Sequence, residues 1–230
     1  MHITGMKTEP AMGELPLSNF ISRLADINHL TPLGFDRFIF FPGMLFNSKE
    51  KWWGRGGCRA VSHEGVDLCF FAGDEDAKFR LDETVQIPMI YDGTVVHLMD
   101  DFLGKTVVTL HDVGAASYGP LLSLYGHVQP HDHLNVGDRI HQGEVFASIA
   151  DPGGRSMFLP PHLHLSLAKP QMFPQVSQLS WEMLNHADRS VFIDPMKALE
   201  MDYSVIHYDN AFNLFQQYTR CSAGIAAKSK

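Results

Sequence analysis

Three short stretches of this chain carry residue types that bind metals and move protons. They are His63-Glu64-Gly65-Val66-Asp67, Tyr125-Gly126-His127 and His162-Leu163-His164. Imidazole nitrogens and carboxylate oxygens are ordinary zinc ligands. A hydrolytic zinc centre needs three of them, with a fourth position left to water. Further imidazoles supply groups that titrate near neutral pH and can relay protons. Each stretch alone is weak, but together they hold enough donors for metal-assisted hydrolysis.

In an extended chain, alternate residues share a face. His162, His164 and Ser166 then lie on one side of a strand, and Leu163, Leu165 and Leu167 on the other. That pattern suits a metal-binding strand and equally a half-buried strand with a polar outer face. His63 and Asp67 also share a face, since Gly65 and the run Val66-Leu68-Phe70 favour strand over helix. No second histidine follows Glu64 in helical register, so Glu64 reads as a solvated charge rather than a zincin-type base. Ser123, Tyr125 and His127 share a face opposite Leu122 and Leu124; His127 is either functional or a cap on an apolar strand.

Other candidates read as bystanders. His131-Asp132-His133 repeats the H-x-H pattern but sits in a Pro-Asp loop with no flanking strand. His111 ends an apolar strand and reads as a turn residue, with a supporting role behind the site as the other option. Cys69 has the parity of His63 and Asp67, but a buried structural thiol suits an isolated cysteine better than a fourth ligand. Trp52-Trp53 reads as a groove wall or as a lid over core.

These motifs need a scaffold, and the surrounding pattern is mostly strand. Ser18 is placed to cap a short helix with Phe20, Ile21, Leu24 and Ile27 on one stripe. Arg37–Phe46 reads as a strand, then a turn at Pro42-Gly43, and 47–62 as a polar loop. Between about 63 and 168 the strands are Val66–Phe71, Val85–Ile90, Gly93–Leu98, Lys105–His111, Leu121–His127, Asn135–Ile140, Glu144–Ala150 and His162–Ala168. Asp92-Gly93 is a hairpin signal between the second and third of these. The prediction is a mainly β fold: an antiparallel β sandwich or barrel-like sheet with short flanking helices at both ends. Amphipathic patches around Trp181–Asn185 and Ala211–Tyr218 read as the later helices, and 222–230 as a frayed tail.

Bulk properties narrow the function. The chain has 230 residues, enough for one elaborated domain or two small ones. Its formal net charge of −8 argues against nucleic acid as a partner. No apolar run is long enough for a membrane span, and no secretory signal is visible at the start. Three cysteines without a C-x-x-C make a cysteine zinc knuckle a poor fit.

The order of motifs resembles a known family. His-x-Gly-x-Asp, Asp92-Gly-Thr-Val-Val, Leu124-Tyr-Gly-His, Val136-Gly-Asp-x-Ile-x-x-Gly and His162-Leu-His follow one another as in the lysostaphin/LytM-like zinc metallopeptidases, which cut peptide bonds in bacterial peptidoglycan. The match covers roughly 60–168, with Ile193-Asp194-Pro195 resembling the family's closing Asp-Pro. The resemblance implies Zn2+ as cofactor, held by His63, Asp67 and His164. It implies His127 and His162 as catalytic imidazoles, a groove across the sheet and a peptidoglycan peptide as substrate. One carboxylate and two neutral imidazoles would leave the site cationic. The expected division is an N-terminal extension over 1–57, a zinc metallopeptidase domain over 58–200, and a C-terminal helix and tail over 201–230. The family acts at the cell envelope or outside the cell, although without a visible signal the cytoplasm stays open. Arg155–Pro161, Phe71–Thr84 and residues 170–192 depart from the family pattern and bear on substrate preference. The rival readings are a metal-free wall-binding or regulatory module on the same fold, and a phosphocarrier-like domain.

Overall fold

The computed structural model describes residues 15–113, 119–153, 159–170, 180–184, 190–207 and 218–221. The architecture is mainly β, in two sheets, as the strand pattern predicts. The large sheet contains β2 (Val66–Leu68), β5 (Gln86–Pro88), β6 (Gly93–Asp100), β7 (Lys105–Asp112), β8 (Pro120–Pro130), β9 (Arg139–Ile140), β10 (Val145–Ile149), β11 (Leu163–Pro170) and β12 (Ser190–Ile193). Its pairings are all antiparallel. The smaller sheet has the order β13-β1-β3-β4-β14, with β1 Arg37–Phe40, β3 Phe70–Ala72, β4 Lys78–Leu81, β13 Tyr203–Val205 and β14 Thr219–Cys221.

Two strand expectations need correction, and the expected strand Asn135–Ile140 shortens to Arg139–Ile140 after a turn at Val136-Gly137. The run Val66–Phe71 is not one strand. It breaks at Cys69, so that β2 pairs with β11 in the large sheet while β3 pairs with β1 and β4 in the small one. A continuous apolar run hides such a crossing, because both halves are buried on both faces. Asp92-Gly93 does not make a hairpin either. β5 pairs with β10, and β6 pairs with β7 and β9. Gly93 answers to a close approach instead, since a Cβ there would lie 2.4 Å from His111 Nδ1. β4 falls in the segment that reads only as long and acidic.

The helix α1 (Phe20–Ile27) buries Phe20, Ile21, Leu24 and Ala25. The N-cap is Asn19, one residue later than the expected Ser18, whose hydroxyl instead accepts from Phe20 N at 3.1 Å. Asn28 docks its end on β5: Nδ2 donates to Gln86 O and Oδ1 accepts from Gln86 N. The second short helix, α2 (Trp181–Leu184), lies where the amphipathic patch predicts it. The patch at 211–217 lies outside the described residues.

One continuous core fills the space between the sheets, with Phe38, Phe40, Phe70, Phe71, Tyr125, Leu163, Leu165 and Leu167 all buried. On the other face of the large sheet, Val108, Leu122, Leu124 and Ala168 form a small second cluster, with Trp181 and Phe192 packed on it. That second face carries the site. Among the described residues no helix is long and apolar enough to cross a membrane.

Candidate metal centre

Strand register brings the first two donors together. β11 pairs with β2 so that His164 lies directly opposite Asp67, and with β8 so that His164 lies opposite Gly126. β2 can approach β11 this closely because residue 65 is glycine: a Cβ there would meet Leu165 O at 2.4 Å. His63 enters from the preceding loop, which hydrogen-bonds its backbone N–H to Ser48 O.

His63, Asp67 and His164 are all buried, and each offers one ligand atom within 4.8 Å of the other two. His63 Nε2 lies 3.1 Å from His164 Nδ1. Asp67 Oδ1 lies 2.8 Å from His164 Nδ1 and 3.2 Å from His63 Nε2. Tetrahedral zinc with bonds of about 2.0–2.1 Å separates its donors by about 3.3 Å, so the triangle needs only a few tenths of an ångström of expansion.

Outer partners orient both rings. His63 Nδ1 donates to Leu45 O at 3.1 Å, which leaves the Nε2 lone pair facing the triangle. His164 Nε2 meets Ser166 Oγ at 2.8 Å, on the polar face that alternation assigns to both, and Nδ1 is left for the triangle. Asp67 is divided: Oδ1 faces the histidines, while Oδ2 accepts from Trp52 Nε1 at 2.6 Å and lies 3.6 Å from Arg59 Nη2. Burial alone would raise the Asp67 pKa. The electrostatic pull of His63 and the hydrogen bonds of His164 and His63 outweigh it and hold the carboxyl well below its usual range. Arg59 is itself braced on Gly43 O and stacked over the Trp53 ring. The Trp52-Trp53 pair is therefore part of the support behind Asp67. The sequence offers the pair only as a groove wall or a lid over core, since nothing local ties it to the carboxylate it holds.

The two remaining imidazoles stand against this group. His162 is 2% exposed, its ring 5.1 Å from Trp52 and 4.8 Å from His127. Its Nδ1 donates to Pro160 O at 2.8 Å, and Nε2 lies 3.9 Å from Asp67 Oδ1. Burial pushes its pKa down to about 3, against the pull of Asp67, so the ring is neutral at neutral pH. His127 is the most open of the five, with a side-chain exposure of 22%.

His127 does not share a face with Ser123 and Tyr125, as plain alternation predicts. Lys105 pairs with Val128 and Val107 with Tyr125, so Gly126 and His127 together oppose Thr106. His127 takes a left-handed backbone with φ 61°. This β-bulge turns its side chain from the core face to the site face. Its Nδ1 lies 3.1 Å from Asp101 Oδ1, and its backbone N–H donates to Asp101 Oδ2 at 2.8 Å. Asp101 was not legible as a site residue, since Asp-Phe-Leu-Gly reads simply as a turn.

The bystanders are where their context puts them, with one exception. His131 and His133 sit in a turn, with rings 5.6 Å apart. Cys69 is buried, its Sγ directed at Pro161 O rather than at the triangle. The exception is His111, which is no exposed turn residue: it is 1% exposed, with Nδ1 facing Asp92 O and Nε2 facing Ser123 Oγ at 2.7 Å.

These features define a mainly β protein with a buried two-histidine, one-carboxylate group that fits a zinc ion, flanked by two further imidazoles. Among solved structures the chain is similar to proteins of the lysostaphin and LytM type. Lysostaphin in solution aligns at 17% identity and a TM-score of 0.41, over 73% of this chain and 58% of that one. A protein assigned as glycyl-glycine endopeptidase LytM from Ruminococcus gnavus aligns at 14% identity and a TM-score of 0.36, over 70% of this chain and 51% of that one. A zinc-containing peptidase from Vibrio cholerae aligns at 17% and 0.38, over 74% and 41%. The chain thus spans little more than half the length of the first two. No protein-family model and no curated protein matches it.

Proposed function

We propose that this chain is a zinc-dependent endopeptidase acting on peptide bonds of bacterial cell-wall peptidoglycan, with its metal-binding domain over 58–200. His63, Asp67 and His164 are the metal ligands, and His127 and His162 the catalytic imidazoles. The observation that carries this reading is the convergence of one carboxylate and two imidazoles, each with its outer nitrogen hydrogen-bonded, in a buried triangle. The order of the sequence motifs points to the peptide class.

When bound there, zinc supplies Lewis acidity toward a scissile carbonyl and a water whose pKa falls toward about 7. The chain's own residues do the rest. With Asp67 and two neutral imidazoles as its ligands, a bound Zn2+ would keep a net positive charge, so the site would favour charge developing on the carbonyl oxygen. His162, neutral and with Nδ1–H committed to Pro160 O, offers Nε2 as acceptor for a proton of the attacking water. His127 stands at the more open side, backed by a carboxylate; as an imidazolium, with Nδ1–H held on Asp101, it gives its Nε2 proton to the departing amine and is left as the neutral Nδ1–H ring. A wall peptidase of this kind would work at the cell envelope or outside the cell.

The test combines elemental analysis with hydrolysis. Stoichiometric zinc, and release of new amino termini from peptidoglycan that chelation stops and zinc restores, are the expected results. Metal-free protein that sediments with peptidoglycan without cutting it would replace this reading with a wall-binding module.

A further inference from the structure

The Asp101 carboxylate, with its side chain 5% exposed, lies on the turn between β6 and β7 and accepts on both oxygens. Oδ1 takes Leu103 N at 2.9 Å and Gly104 N at 2.8 Å, and faces His127 Nδ1 at 3.1 Å. Oδ2 takes the His127 backbone N–H at 2.8 Å and Thr106 Oγ1 at 2.8 Å. Thr106 is the residue that the Gly126-His127 bulge opposes, and its hydroxyl accepts in turn from Trp181 Nε1 at 3.2 Å. One carboxylate therefore ties together the turn, the bulge and the imidazole that the bulge re-aims.

We propose that Asp101 is the positioning residue for His127: it holds the left-handed backbone that swings the ring onto the site face, and it fixes the Nδ1–H tautomer. An ionised carboxylate only accepts, so the proton of a neutral His127 must sit on Nδ1 and the lone pair on Nε2. Burial alone would raise the Asp101 pKa, but the hydrogen bonds of His127 and Gly104 and the His127 charge hold it low, so the carboxylate stays ionised. A left-handed non-glycine residue persists only where its surroundings over-determine it, and here two hydrogen bonds that His127 donates to one carboxylate do so. The catalytic meaning of this arrangement rests on the peptidase reading of His127; the positioning does not.

The test is Asp101→Asn, which keeps an oxygen for the turn N–H groups but removes the charge and one acceptor. Imidazole 15N NMR of His127, zinc content, kcat and KM are read on this variant, on His127→Ala and on the double variant. The expected result is a shift of His127 from Nδ1–H toward mixed tautomers, zinc retained, KM within about twofold, and kcat lower by about 10–100-fold. The double variant should be no slower than His127→Ala. Wild-type tautomer signals in Asp101→Asn, or losses that multiply in the double variant, overturn the proposal. If the wild type cuts no peptidoglycan peptide, the NMR signals decide alone: a tautomer shift upholds the positioning while the peptidase reading falls. Should Asp101→Asn fail to fold, Thr106→Val removes one of the two donors to Oδ2, together with the acceptor of Trp181 Nε1, and leaves the carboxylate charged. Unchanged His127 signals in that variant overturn the proposal, and a smaller shift in the same direction upholds it.

Discussion

The indole N–H of Trp52 donates to Asp67 Oδ2 at 2.6 Å, so one oxygen of this carboxylate is held from behind while the other faces His63 and His164. Partners of this kind orient a ligand and are worth about 10–100-fold in metal affinity. Trp52→Phe keeps an aromatic ring beside His162 and Phe70 but removes the N–H together with part of the indole. Zinc affinity, measured by competition with a chromophoric chelator, should weaken by roughly that factor. An unchanged affinity would mean that the loop carrying Trp52 does not hold Asp67 for the metal.

The five site residues should separate into two groups. His63→Ala, Asp67→Ala and His164→Ala each remove a donor from the triangle, so bound zinc and hydrolysis should be lost together. His127→Ala and His162→Ala leave the triangle intact, so zinc should stay while kcat falls by about 10²–10⁴-fold. Full zinc occupancy in His164→Ala, read by elemental analysis, would refute the ligand assignment.

His111 makes stability depend on pH. Burial lowers its pKa from 6.5 to about 4 against hydrogen bonds that raise it, so the folded state holds the ring neutral. As pH falls, the unfolded chain takes up the proton first. Stability is therefore complete above about 6.5, declines through the window down to about 4, and is flat below it. At about 1.36 kcal/mol per pH unit the full loss is about 3 kcal/mol. Urea midpoints of chelated protein at neutral and acidic pH should fall further for wild type than for His111→Gln. Equal falls would show that His111 is not the group responsible.

Gly65 carries a packing demand that also serves the site. A Cβ there would lie 2.4 Å from Leu165 O and 2.5 Å from Ser166 Oγ, and the backbone oxygen cannot move aside without parting β2 from β11. Gly65→Ala should cost about 1–3 kcal/mol, seen as a Tm lower by several degrees. Zinc affinity should drop with it, because the same register sets Asp67 opposite His164. A variant that loses neither would show that the strands have slack at this point.

What the sequence by itself determined is what a pleated strand makes local. His164 and Ser166 share a face and Leu163, Leu165 and Leu167 take the other, because side-chain direction in a strand repeats every two residues; His63 meets Asp67 from a loop before β2 rather than by the strand parity expected of it. His131-Asp132-His133 was separable from the real cluster for the same reason, lying between strands rather than on one. Tertiary structure alone decided the rest. Val66–Phe71 divides between two sheets at Cys69, and Gly93 meets His111 instead of turning a hairpin, since pairing partners lie far away in the chain. Trp52 reaches Asp67 from a loop without periodicity. His127 breaks its own alternation because a bulge opposite Thr106, pinned by Asp101, reverses its direction. Alternation is set by bonds between neighbours, whereas a bulge and its carboxylate brace exist only once three separate strands and turns have packed.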